Sequence, residues 1–185
     1  MPNGRTHEAI NLTFYAGLAA GYAYARTQGL TAELEQIVTP QAVTTFSVSY
    51  LVGTFLVTPD LDLAEQGVRA KSNWGLLGML WIPYGAMFSH RGLSHTWILG
   101  PLTRILYIAV VALALSYAAA WVAPFFGYRL SIRTQLVENW RELAVGALLG
   151  YYLSQWLHLV ADGISPDHGF KRGSFKNKKR NFSRK

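Results

Sequence analysis

His90 and His95 flank Arg91 and Gly92 in the stretch FSHRGLSHTW, between two apolar segments. Polar groups set in such greasy sequence need partners, because an unpaired polar group at membrane depth is costly. The chain offers several. Asp60 and Asp62 stand in PDLD, His158 and Asp162 in HLVAD, and His7 follows Thr6 near the N-terminus. His158 and Asp162 are spaced i, i+4, so both leave one face of a helix and can serve one ion or two neighbouring ones. There is no cysteine, which excludes disulfides, thiolate metal sites and cysteine nucleophiles. Histidine with carboxylate suits zinc best, with manganese or iron next, whereas an all-oxygen set would have favoured calcium or magnesium. His7, Asp60, Asp62, His90, His95, His158 and Asp162 are more ligands than one tetrahedral ion uses. One or two divalent ions are expected, an aspartate bridging a pair.

These residues must be carried by helices. Uncharged runs occupy 9–25, 36–59, 72–89 and 105–128, and 143–161 is broken only by His158. Each is near the roughly 17–25 residues that cross a hydrocarbon core. Strand-like alternation and internal repeats are both lacking. The reading is an all-α polytopic membrane bundle of about four to five spans, with polar ligands gathered at one end. The expected helices cover 6–26, capped by Thr6 with Glu8 in its first turn, then 41–58, stopping before Pro59, 99–122 and 143–162, stopping at Gly163. A short surface helix is expected at 32–37. The run 72–89, with Gly75, Gly78, Pro83 and Gly85, suits a kinked, re-entrant or interfacial segment. Arg104, one turn inside its helix, is expected to snorkel to an interface or pair with a carboxylate. A cleaved signal peptide is the alternative for the first run, since Arg5 precedes it and AYA at 23–25 resembles a cleavage site. It is set aside because His7 is needed in the site.

If helices one, two, four and five alternate in direction across a membrane, His7 starts the first and Asp60 and Asp62 end the second. His95 then precedes the fourth, and His158 and Asp162 end the fifth. All fall at one end of the bundle. Taken singly, each motif has a plainer reading: HLVAD as a helix end, PDLD as a turn, His7 as a surface residue. The convergence of four distant segments favours a metal site. Asp167 and His168, in GISPDHG, rank below these, with a turn as their favoured reading.

The charge is +7, much of it in the segment FKRGSFKNKKRNFSRK. The chain is expected to divide into a helical membrane metal-binding domain at 1–169 and a basic disordered tail at 170–185. Beside a membrane the tail's partners are anionic lipid headgroups, and no specific nucleic-acid recognition is expected, because a charge run without a recognition fold is weak support for it. Arg5, Arg69, Lys71 and Arg91 lie with the tail on the site side, against Arg26, Arg129, Arg133 and Arg141 on the other. The positive-inside rule then turns the metal site and the tail of this multi-pass protein to the cytoplasm.

The order TH, PDLD, HRGLSHT and HLVAD resembles the YdjM-like membrane-bound metal-dependent hydrolases. More closely, it resembles a bacterial, often cyanobacterial, domain-of-unknown-function family of metal-binding membrane proteins. The likeness covers roughly 4–169, and WIPYGAMFSHRGLSH is its most specific block. It implies a helical membrane protein with metal-binding positions at His7, Asp60, Asp62, His90, His95, His158 and Asp162, and an inferred hydrolase activity without a stated substrate. One departure is Thr96, where serine commonly follows the second histidine.

The functional expectation is a metal-dependent hydrolase acting on a phosphoester-type small-molecule or lipid substrate at the cytoplasmic membrane face. Asp60, His95, His158 and Asp162, with His7 next, are the expected ligands. Asp62 or His90 would orient a ligand or act as general base, and Arg91 would hold a substrate phosphate, or else pair with Asp62 or a lipid headgroup. The alternative is a non-catalytic metal-binding membrane protein with a structural or sensing role. A transporter fits less well, because the polar groups cluster at one end and not at the midplane.

Overall fold

The computed structural model describes residues 3–35, 38–90, 92–130 and 138–166. The regular elements among them are all helical: α1 Gly4–Thr27, α2 Ala32–Glu35, α3 Pro40–Phe55, α4 Arg69–Asn73, α5 Ile82–Met87, α6 Leu99–Val122 and α7 Trp140–Ala161. Short 3₁₀ turns lie between them, notably Pro59–Leu63, Gly75–Trp81 and Leu93–His95. Among the described residues, three stretches are long and apolar enough to cross a membrane: Pro40–Leu63, Leu99–Phe126 and Trp140–Ala161. α1 is not among them. Arg91, Asp167, His168 and the basic tail lie outside the described residues.

α3 and α7 form the closest pair, and small residues explain why. A Cβ on Gly150 would stand 2.1 Å from the Phe46 carbonyl oxygen, and one on Gly53 2.1 Å from Ser154 Oγ. The two backbones therefore touch, as small-xxx-small helices do in membranes. Gly146, Gly150, Ser154, His158 and Asp162 are each four residues apart, so the stripe that fits α7 against α3 also delivers His158 and Asp162 to the site. α1 joins through Asn11, whose amide donates to Thr54 Oγ1 (3.2 Å) and the Ser154 carbonyl (3.1 Å). Tyr50 donates back to the Asn11 carbonyl at 2.8 Å. His7 lies one turn before Asn11 on the same face.

Several expected boundaries shift. Asn3, not Thr6, caps α1: its side-chain oxygen accepts from the Thr6 amide at 3.0 Å. α3 stops at Phe55 and not at Thr58, because neighbouring side chains satisfy its terminal carbonyls: Asn73 donates to Phe55 (2.8 Å) and Trp74 Nε1 to Leu56 (2.7 Å). Pro59 then opens a 3₁₀ turn that carries both aspartates. The glycine-rich run is broken into the Gly75–Trp81 turn and α5. It packs on the aspartate turn, where a Cβ on Gly85 would come within 3.2 Å of the Asp62 carbonyl. Trp81 and Tyr84 are buried there among Phe88, Ala64 and Leu61.

Arg104 does not snorkel and meets no carboxylate among the described residues. It is fully buried, and its guanidinium donates to the Ser94 carbonyl (2.8 Å), Gln155 Oε1 (2.9 Å) and Tyr151 Oη (3.3 Å). Gln155 in turn donates to the Gly53 carbonyl at 3.1 Å. One cation thus ties α6, α7 and α3 to the turn that bears His95.

Candidate metal centre

The 3₁₀ turns at Pro59–Leu63 and Leu93–His95 face each other across the ends of α1 and α7. The contacts there divide into two kinds by distance. Asp62 sits within hydrogen-bonding range of three groups: Ser94 Oγ donates to it at 2.6 Å, and the Nδ1 atoms of His90 and His95 are each 3.0 Å from its oxygens. The Ser94 and His90 contacts are ordinary charge-assisted hydrogen bonds, and His95 Nδ1, beside Asp62, is also 3.2 Å from Ser94 Oγ. An Asp62 carboxylate that accepts from His95 Nδ1–H fixes the tautomer in which Nε2 carries a lone pair. His95 is fully buried, and that desolvation holds its pKa below the ordinary 6.5, keeping the ring neutral.

The second set is spaced more widely. His7 Nε2 is 3.3 Å from Asp162 Oδ1, and His158 Nε2 is 3.5 Å from Asp60 Oδ1 and 3.6 Å from Asp162 Oδ2. These gaps are long for hydrogen bonds. Two atoms each about 2.0–2.1 Å from a tetrahedral ion stand about 3.3–3.4 Å apart, so the spacing is that of neighbouring ligands. The His7 and His158 rings stack at 3.8 Å with an interplanar angle of 10°, which aligns their edges toward the same aspartate.

Unsatisfied atoms mark the same place. His95 Nε2, His158 Nε2 and both oxygens of Asp162 are buried without a hydrogen-bond partner among the described residues. Buried polar atoms are nearly always paired, so four such orphans in one cluster suit a bound cation. Two sets of three, His7–His158–Asp162 and Asp60–His95–Asp162, each gather ligand atoms within 4.8 Å of one another and share Asp162. A third set, Asp62–His90–His95, meets the same spacing, but its Nδ1 atoms are already engaged by Asp62. Buried imidazoles and carboxylates with open lone pairs fit a divalent cation of the zinc, manganese or iron kind.

The structure brings His7, Asp60, Asp62, His90, His95, His158 and Asp162 to one end of the bundle. It also recruits residues that the sequence reading passed over. Ser94 stands between Asp62 and His95, at 2.6 Å from Asp62 Oδ2 and 3.2 Å from His95 Nδ1. Its place beside His95 in LSHT was the available signal. Glu8 and Thr58 line a small cavity against the centre with Arg69; nothing in their spacing announced it, since the cavity forms only when α1 meets α4.

Comparison with known proteins bears on the same conclusion. A curated relative from Aquifex aeolicus (strain VF5), described as an uncharacterized protein, is 38% identical over 63 residues, which are 34% of this chain and 43% of that protein. The chain thus matches less than half the length of that relative. No solved structure matches. A family model described as uncharacterized metal-binding protein (DUF2227) matches residues 2–172, taking in all seven clustered side chains. The chain belongs to that family of metal-binding proteins.

Proposed function

We propose that the protein is a membrane-embedded, metal-dependent hydrolase that acts on a phosphoester-type substrate at the cytoplasmic membrane face. The observation that carries this reading is Asp162: both of its oxygens are buried without a hydrogen-bond partner among the described residues, and it is common to two sets of ligands. A carboxylate shared in that way suits two adjacent ions, an arrangement widely used for displacement at phosphorus. His7 and His158 would hold one ion and Asp60 and His95 the other, with Asp162 between them. A bound divalent ion supplies a lowered water pKa and polarisation of a phosphoryl oxygen.

The chain's own residues do the rest. Asp62 and Ser94 hold His95 in one tautomer from behind. His90, half-buried with Nδ1 at 3.0 Å from Asp62, is the group placed to take up and release protons. Zinc is the expected metal, with manganese or iron as the others. Membrane insertion is supported by α6, whose Leu106, Val110, Leu113 and Trp121 are exposed and would need an apolar surrounding. The charge bias between the two ends supports the cytoplasmic orientation, and the tail at 170–185 would bind anionic lipid headgroups.

One observation favours a second, non-catalytic reading. The ligand side chains are almost fully enclosed, and the cavity beside them measures only about 10 Å³, the room of one water molecule. Structural ions sit in closed sites, catalytic ions keep an open position. The test is hydrolysis of bis(p-nitrophenyl) phosphate by purified protein that has been stripped with chelator and reloaded. The hydrolase reading expects activity restored by metal and lost in His90→Asn at unchanged metal content. Full metal loading with no turnover of phosphomonoesters or diesters would favour the closed site.

A further inference from the structure

The small cavity beside the centre is lined by His7, Asp60 and His158, and Thr58, Glu8 and Arg69 are among the other residues around it. Thr58 is 6% exposed, and its Oγ1 is buried with no hydrogen-bond partner among the described residues. A buried hydroxyl facing a water-sized space calls for a polar occupant. Arg69, at the start of α4, is engaged through one nitrogen only. Its Nε stands 2.7 Å from both oxygens of Glu8, while the N–H groups of its two terminal nitrogens make no hydrogen bond to the described residues. The Arg69 side chain is 43% exposed and that of Glu8 11%. Glu8, the less exposed partner, therefore holds the guanidinium at Nε and leaves the terminal nitrogens without a hydrogen-bond partner among the described residues. Gly4 leaves room for the arginine stem: a Cβ there would stand 3.2 Å from Arg69 Cβ.

We infer that Arg69 is the oxyanion receptor of this site, its fork taking two oxygens of a phosphoryl group while Thr58 receives an oxygen in the adjoining cavity. A planar pair of donors matches phosphate in a way that a lysine point charge does not. Glu8 acts as a positioning residue, since a guanidinium held at Nε has lost its freedom before the ligand arrives. The phosphoryl group can belong to a soluble ester or to a lipid headgroup, for the recognition chemistry is the same. The inference rests on the proposed hydrolase reading for what happens to the phosphoryl group, and on Arg69, Glu8 and Thr58 alone for its capture.

The test is binding, measured on full-length protein in neutral nanodiscs by calorimetric titration with inorganic phosphate, and in detergent by native mass spectrometry with short-chain phosphatidic acid. Wild type is expected to bind at least one probe, and which one identifies the source. Arg69→Gln should weaken that binding by about tenfold or more, the factor of one lost charge-assisted contact. Arg69→Lys separates this role from a mere latch between α1 and α4: it keeps the ion pair to Glu8 and so the melting temperature, but should still lose most of the affinity. Wild type that binds neither probe, or Lys and Gln variants that bind as wild type does, would overturn the assignment. Metal content of the same samples keeps the two readings apart. A chain that takes up no metal yet binds phosphate through Arg69 removes the hydrolase reading and leaves the receptor; metal uptake without Arg69-dependent binding does the reverse.

Discussion

Replacing Asp62 by asparagine tests how the site is built. Asp62 accepts a hydrogen bond from Ser94 at 2.6 Å and lies 3.0 Å from the Nδ1 atoms of His90 and His95. Asparagine keeps the shape but has one oxygen, and its amide is a donor. At least one of the three groups then faces a donor or loses its acceptor. If that group is His95, the ring is free to flip its tautomer and withdraw the Nε2 lone pair. Losing such a support behind a ligand typically weakens metal affinity about 10–100-fold, or roughly 1.4–2.7 kcal/mol. The assay is competition with a chromophoric chelator, which reads affinity and stoichiometry together. Asp62→Asn should lower affinity within that range and still fill completely at saturating metal. Unchanged affinity would refute the supporting role, and loss of a whole equivalent would make Asp62 itself a ligand.

Other outcomes follow from the same geometry. Gly150→Leu puts a side chain where a Cβ alone would stand 2.1 Å from the Phe46 carbonyl; it should prevent α3 and α7 from closing and abolish metal retention, whereas Gly127→Ala, at a glycine with no neighbour within 4 Å of an added Cβ, should retain metal despite its strained backbone. Arg104→Met leaves the Gln155 oxygen and Ser94 carbonyl without their donor, and should lower thermal stability by about 2–3 kcal/mol, read from melting in detergent; a neutral result would mean the network contributes nothing net. Metal affinity should fall on acidification, because protons compete for the imidazoles. Burial holds His95 below its ordinary 6.5, so its own competition begins only under that value. Affinity that stays constant down to the pH at which the protein unfolds would exclude histidine ligands.

The convergence of the chemistry was legible in the sequence for a simple reason. Helices that alternate in direction bring the start of one and the end of the next to the same side, so His7, the PDLD turn, His95 and HLVAD could be grouped by counting apolar runs. Which faces of those helices touch was not legible. In a membrane-like sequence the outside of a helix is as apolar as its packed side, so hydrophobic periodicity does not mark the contact. The marker is residue size, and it runs along the stripe Gly146, Gly150 and Ser154 into His158 and Asp162. The division of labour among the polar groups was also hidden. PDLD gave two aspartates two residues apart, and only the tight 3₁₀ turn sends Asp60 toward His158 and Asp62 toward Ser94 and His95. Arg104 misled because an arginine in an apolar run suggests a carboxylate or an interface; neutral carbonyl, amide and phenol oxygens from three segments satisfy it instead.

Elemental analysis of purified protein, wild type beside His95→Ala and Asp162→Ala, tests the central claim most directly. Wild type should carry about one or two equivalents of zinc, manganese or iron, with the loss greatest in Asp162→Ala because both sets of ligands share that residue. Wild type that carries no metal even after reconstitution with these ions, or an Asp162→Ala variant that keeps its full complement, would contradict it.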